Sequence, residues 1–144
     1  MTIYAYCRTS ELEDSMDRER LNGFLEPELL GIQTYCLQKG WYMTQTITES
    51  NCRWSQEFVD RERGKLLLEA MNPGDVLLCS RLERIASSGQ EALQLINLFT
   101  QRQIALHVVE LGGDITDPEL TVSVSRSVAI FSALEKRKSA ERIK

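Results

Sequence analysis

The chain opens on an unbroken apolar run, Ile3-Tyr4-Ala5-Tyr6-Cys7, that stops at Arg8-Thr9-Ser10 and the charged Glu11-Leu12-Glu13-Asp14. Its β-branched and aromatic residues predict a buried strand ending at the arginine. Glu11 to Glu26 carries both signs of charge with sparse apolar positions, so the pattern predicts a solvated helix or a mobile flap, broken at Asn22-Gly23 and Pro27. A helix is expected to start at Glu26-Pro27, with Leu29, Leu30, Ile32, Cys36 and Leu37 as its apolar side and Lys39-Gly40 as its end. Trp41 to Thr48 alternates and reads as a second strand, followed by a loop from Glu49 to Phe58 in which Glu49, Arg53 and Trp54 look outward.

Asp60-Arg61-Glu62-Arg63 precedes Leu66, Leu67, Leu68, Ala70 and Met71, a helix whose first-turn acids suit its dipole. Asn72-Pro73-Gly74-Asp75 is a turn, and Val76-Leu77-Leu78-Cys79 is the all-apolar mark of a strand covered on both faces. A helix through Ala92, Leu93, Leu95, Ile96 and Leu98 leads to a strand from Ile104 to Glu110 and a turn at Gly112-Gly113-Asp114. From Glu119 to Lys144 the spacing is helical again and turns basic. Strands that alternate with helices predict an α/β fold: a central, mostly parallel sheet of four to five strands flanked by helices, with a long C-terminal helix. The expected division is an α/β unit over 1–118, with 11–26 as a charged insertion, and the start of a long helix over 119–144.

Composition narrows the function classes. Hydrophobic content of 42% with 26% charged residues over 144 residues suits one globular domain. No apolar run has the length to cross a bilayer and the amino terminus lacks a leader pattern, so the expectation is a cytoplasmic protein without a membrane partner. Cys7, Cys36, Cys52 and Cys79 have no paired metal-site spacing and are expected to be buried thiols; no metal or cofactor is expected. A net charge of −4 argues against a surface that grips nucleic acid all over, while leaving room for a local basic patch.

The chemistry-bearing residues are arginines that gather near a serine. Arg8 and Ser10 lie two apart at a strand end, so they lean to one side of the pleat. Arg61 near a helix start and Arg84 after the third apolar run are expected at the same edge of the sheet. A serine among arginines without a histidine suits phosphate better than an acyl group, because guanidinium presents a rigid fork of donors and stays charged. His107, inside a strand, is expected to be structural.

Tyr6-Cys7-Arg8-Thr9-Ser10, Gln33 on the long helix, Asp60-Arg61, Gly74-Asp75-Val76-Leu77-Leu78, Leu82-Glu83-Arg84-Ile85, Gly112-Gly113-Asp114-Ile115-Thr116 and Glu135 to Ile143 together resemble the catalytic domain of the serine recombinases, the resolvase and invertase family. The resemblance implies that Ser10 is the nucleophile toward a DNA phosphodiester, with Arg8, Arg61 and Arg84 holding the phosphate. It implies double-stranded DNA as partner and a homodimer that pairs into a tetramer. Gln33, Asp75, Glu49, Glu83 and Lys136 would be supporting residues.

Four departures accompany the matches. Glu83 and Glu49 stand where the family tends to have aspartate, Lys136 replaces an arginine, and Ser87 occupies a position normally held by another active-site arginine. Loss of a preorganised cation costs about 10²–10³ in rate by analogy with oxyanion-hole deletions, unless Arg53, Arg63 or Arg81 substitutes. Two functions are therefore expected: an active site-specific recombinase, or a weakened relative that acts as a DNA-bound structural or regulatory partner. A nucleotide binder of the flavodoxin kind ranks below both, because no glycine-rich loop follows the first strand.

Overall fold

The computed structural model of the chain describes residues 1–8, 18–50 and 55–118, with 18–26 described as helix backbone alone. The chain runs through β1 (Ile3–Arg8), α1 (Arg18–Lys39), β2 (Gln45–Glu49), a 3-10 turn (Phe58–Asp60), α2 (Glu62–Ala70), β3 (Val76–Cys79), α3 (Leu82–Ile85), α4 (Gly89–Gln101), β4 (Ala105–Val108), a second 3-10 turn (Val109–Leu111) and β5 (Gly113–Asp114). Among the described residues these strands form one five-stranded sheet in the order β2-β1-β3-β4-β5. The first four run parallel, and β5 returns antiparallel against β4. The expected α/β architecture is therefore present in the described residues; the C-terminal helix expected over 119–144 lies outside them, as does the domain boundary drawn beside it.

The alternation along β1 divides the core into two layers. Tyr4 and Tyr6 face Phe58, Leu67, Met71, Leu82, Ile85, Leu95 and Phe99, contributed by the first 3-10 turn and by α2, α3 and α4. Ile3, Ala5 and Cys7 face the other way, onto Ile32, Tyr35 and Cys36 of α1. Both faces of β1 and β3 are covered, which is why these strands are apolar at every position before their ends. Cys7, Cys36 and Cys79 are buried free thiols, and burial pushes the Cys7 thiol up to about 12. Cys52 lies outside the described residues.

Several sequence expectations shift. The helix expected from Glu26-Pro27 begins at Arg18, and Pro27 sits inside it. Arg18, Glu19, Arg20 and Leu21 are good helix formers that carry the turn through the local break signals. Pro27 costs that helix one backbone hydrogen bond rather than starting it. Leu30 and Leu37, assigned to the apolar side, are exposed, and Tyr35 takes their place beside Ile32 and Cys36. The second strand begins at Gln45 rather than Trp41, in register Tyr4↔Gln45 through Arg8↔Glu49. Asp60 belongs to the 3-10 turn, leaving Arg61 as the residue before α2. Gly113-Asp114, read as a turn, pairs instead with His107 and Val108 as β5.

The turn at Asn72–Asp75 forms as expected, with Gly74 at φ +92°. Asp75 accepts from Asn72 N at 2.8 Å and Thr2 N at 3.0 Å, ties the amino ends of β1 and β3, and is held below its ordinary range by those N–H groups. His107 is structural: its Nδ1 lies 2.7 Å from the Tyr35 hydroxyl, and Trp41 packs edge-on at 4.9 Å between ring centroids. Burial lowers the His107 pKa below 6.5, Lys39 acts in the same direction and Asp114 opposes it. The neutral ring thus shares a hydrogen bond with Tyr35, whose own pKa burial raises.

A histidine whose folded pKa lies below its unfolded one stabilises fully above the unfolded value, and that contribution is lost as pH falls through the folded value. Urea midpoints of the wild type are expected to fall more steeply between pH 7 and pH 5 than those of His107→Gln, which keeps an acceptor for Tyr35. Parallel falls in the two proteins would remove His107 as the source.

Candidate active site

In strand order β2-β1-β3, the chain leaves β1 for one neighbour and returns beyond it to the other, so the sheet reverses direction of winding at β1 and β3. The carboxyl ends of strands at such a reversal leave a crevice that no crossover covers. Arg8 closes β1 at that edge, and Ser80 and Arg81 follow β3 there, leading into α3 with Arg84. Arg8 falls on the Tyr4 and Tyr6 side of the pleat, toward α2 and α3.

Bonds from side chain to backbone carbonyl join the three arginines. Arg61 Nη1 donates to the Arg84 carbonyl at 2.8 Å, and Arg84 Nη1 donates to the Arg8 carbonyl at 3.2 Å. Arg61 is 0% exposed, and Arg8 is 9% exposed. The Arg61 guanidinium also donates from Nε to Gln56 O at 3.1 Å and from Nη1 to the Tyr6 hydroxyl at 3.2 Å. Its Nη2 is buried without a partner. The Tyr6 hydroxyl in turn donates to Glu49 Oε1 at 3.3 Å.

Glu49, expected to look outward from a loop, is instead buried at the carboxyl end of β2. It accepts from Arg63 N at 3.0 and 3.1 Å and from Gly64 N at 3.1 Å. The correction has a physical cause: Arg61 precedes α2 in an extended conformation and offers no side-chain cap, so the orphan N–H groups of the first turn take a carboxylate from the neighbouring strand. Gly64 lets the 3-10 turn pack closely on α2, since a Cβ there would meet Phe58 O at 2.0 Å. Glu110 serves α3 in the same way, accepting from Leu82 N at 3.0 Å.

Ser87 and Ser88 open α4. Ser88 Oγ accepts from Glu91 N at 2.9 Å, a capping box in which the Glu91 carboxylate reaches one residue farther back. That buried carboxylate accepts from Ser87 N at 2.6 Å, Ser87 Oγ at 2.7 Å and Phe58 N at 2.6 Å. It joins α4 to the 3-10 turn that leads into Arg61.

The other sequence candidates lie apart. Glu83 pairs with the exposed Arg81 at 3.4 Å, and Gln33 is exposed on α1. Asp75 is at the opposite, amino end of the sheet. Arg63 contributes its backbone N–H, with its side chain exposed. Ser10, Lys136, Arg53 and Trp54 lie outside the described residues. Sequence reasoning missed Glu28, Tyr6 and Glu91. Glu28 lies 3.2 Å from Arg84 Nε and accepts a hydrogen bond from Ser80 Oγ. A signal for Tyr6 was its place two residues before Arg8 on the same side of the pleat; Glu91 was legible as the third residue after Ser88.

The model of the Resolvase N-terminal domain matches residues 3–144. The chain belongs to the resolvase family. The transposon Tn2501 resolvase of Escherichia coli is 27% identical over 132 residues, which cover 90% of this chain and 62% of that protein. The serine recombinase PinR of Escherichia coli K12 is 27% identical over the same length, covering 90% of this chain and 61% of its own. The chain thus spans less than two thirds of the length of these relatives. In fold it is similar to the catalytic domain of TP901-1 integrase, with TM-score 0.63 at 16% identity, covering 95% of this chain and 98% of that one. A resolvase-family site-specific recombinase from Streptococcus pneumoniae gives TM-score 0.59 at 15% identity, covering 99% and 94%. Among the described residues, no helix of this resolvase-family chain is long and apolar enough to cross a membrane.

The arginine bonds predict a stability effect. Arg61→Met leaves Tyr6, Gln56 O and Arg84 O without their buried donor and is expected to cost about 3 kcal/mol in urea unfolding. A loss under about 1 kcal/mol would show that these bonds contribute no more than a surface pair.

Proposed function

We propose that this chain carries the catalytic part of a site-specific DNA recombinase. Ser10 attacks a DNA phosphodiester: an Oγ–P bond forms, the bond from phosphorus to the 3′ oxygen breaks, and the departing 3′ oxygen takes up a proton. The product is a phosphoserine-linked 5′ end beside a free 3′ hydroxyl. Because the phosphoserine ester retains the energy of the broken bond, rejoining needs no ATP. Arg8 and Arg84 hold the phosphate oxygens. Arg61 lies beneath them; its bonds to Gln56, Tyr6 and Arg84 fix the α3 turn while its charge adds to the local positive potential.

The observation that carries this reading is the backbone-linked arrangement of Arg8, Arg61 and Arg84 at the winding reversal of the sheet, in a chain of the resolvase family. The partners that follow are double-stranded DNA and further copies of the chain, as a dimer pairing into a tetramer. On a nicked suicide duplex bearing its recombination site, the protein with its own DNA-binding part is expected to form a covalent adduct that Ser10→Ala abolishes. An adduct that survives Ser10→Ala, or none with the wild type, defeats the proposal.

A second reading, a weakened relative that serves as a DNA-bound partner, draws on Ser87. Its hydroxyl is committed to Glu91, so the position adds a neutral cap where relatives of this kind place a cation. Ser87→Arg is expected to raise the rate of adduct formation by about 10²-fold if that cation is what the site lacks. An unchanged rate shows that another residue already supplies it.

A further inference from the structure

Among the described residues, most carboxylates around the arginine-bearing segments bind backbone N–H groups. Glu49 and Glu110 close the N-termini of α2 and α3, and Glu91 binds the N–H groups of Ser87 and Phe58. Among the described residues Glu28 binds no backbone group: its Oε1 forms an ion pair with Arg84 Nε at 3.2 Å, outside hydrogen-bond geometry, and accepts a hydrogen bond from the Ser80 hydroxyl. Both charged partners are largely withdrawn from water, with side chains 21% and 9% exposed for Arg84 and Glu28.

We propose that Glu28 is a resident anion that occupies Arg84 in the resting domain and gives way to the phosphate. A carboxylate and a phosphate present similar oxygen pairs to guanidinium, so one stands in for the other at the same donor edge. The two do not share it, since like charges a few ångströms apart repel strongly in a partly dry site. A counter-anion also has a structural use: the Arg84 side chain is largely withdrawn from water, and a neighbouring carboxylate offsets the cost of burying its charge.

The local backbone suits a group that must yield. Glu28 follows Pro27, whose missing N–H removes one intrahelical bond from that turn of α1. Its two partners are side chains with rotatable bonds, and the Ser80 hydroxyl at the end of β3 helps to hold the carboxylate beside Arg84. Occupancy by Glu28 raises the threshold for anions: an isolated phosphate competes poorly, while a DNA backbone adds contacts elsewhere and displaces it. The site is thereby kept closed to stray phosphates.

The inference rests on the proposed phosphate-holding role of Arg84, and the test separates the two. Inorganic phosphate is titrated into the chain while the Arg84 Nε–Hε signal is followed by NMR. Glu28→Gln keeps an acceptor for Ser80 and removes the charge; it is expected to bind phosphate at Arg84 about tenfold more tightly than the wild type. Ser80→Ala, which alters no charge, is expected to tighten binding by a smaller factor in the same direction, and it carries the test if Glu28→Gln folds poorly. Glu69→Gln, an exposed charge removal on α2, is expected to match the wild type. If Glu28→Gln and the wild type bind equally at Arg84, or the variant binds more weakly, the resident-anion role is overturned while Arg84 remains a phosphate ligand. If no protein shows phosphate at Arg84, that role falls, and the inference with it.

Discussion

A guanidinium removed completely from water is the constraint on which the rest of this structure depends. Arg61 sits between the sheet and the turn that carries Arg84, and burial of a cation costs several kcal/mol unless its donors are met. Three groups from three parts of the chain meet those of Nε and Nη1: the hydroxyl of Tyr6 on β1, the carbonyl of Gln56 before the first 3-10 turn, and the carbonyl of Arg84 on α3. Moving any one of them leaves a buried polar group unpaired. The same bonds that solvate Arg61 therefore lock β1, the approach to α2 and α3 into one geometry.

Carboxylates complete that lock by accepting from backbone N–H groups of neighbouring elements. Glu49 reaches from β2 to the first turn of α2, Glu110 from the second 3-10 turn to α3, and Glu91 from α4 to the first 3-10 turn. A helix start carries partial positive charge and unmet N–H groups, so an anion from a neighbouring element stabilises both. Each such bond fixes where an arginine-bearing segment begins. Glu28 stands outside this pattern, bound to Arg84 and Ser80 side chains, which makes it the carboxylate free to change partners without disturbing a helix end.

The resolvase-family arrangement places these parts at a reversal of the sheet's winding, between β1 and β3. The apolar strands supply rigid support from below, and the polar residues begin where the strands stop. Arg8, last in β1, is the boundary between the two regimes: its backbone is the final rung of a parallel ladder and its carbonyl accepts from Arg84.

Much of this was legible along the chain because it is local. Ile3 to Cys7 and Val76 to Cys79 declare buried strands by composition, Asn72 to Asp75 declares a turn, and Ser88 with Glu91 declares a helix start. Arg8, Arg61 and Arg84 stand out as cations at element ends, and their residue types in that order carry the family resemblance. What tertiary structure alone decided is how charge is shared across elements. Nothing near Glu49 in sequence says that it will cap a helix beginning at Glu62, because the reason is an unmet N–H group on that helix. Nothing near Glu28 says that it will face Arg84, fifty-six residues later by number, because their meeting follows from α1 covering the face of the sheet at the end of β3. Patterns of burial are written residue by residue; the pairing of a buried charge is set by whichever partner the fold brings within reach.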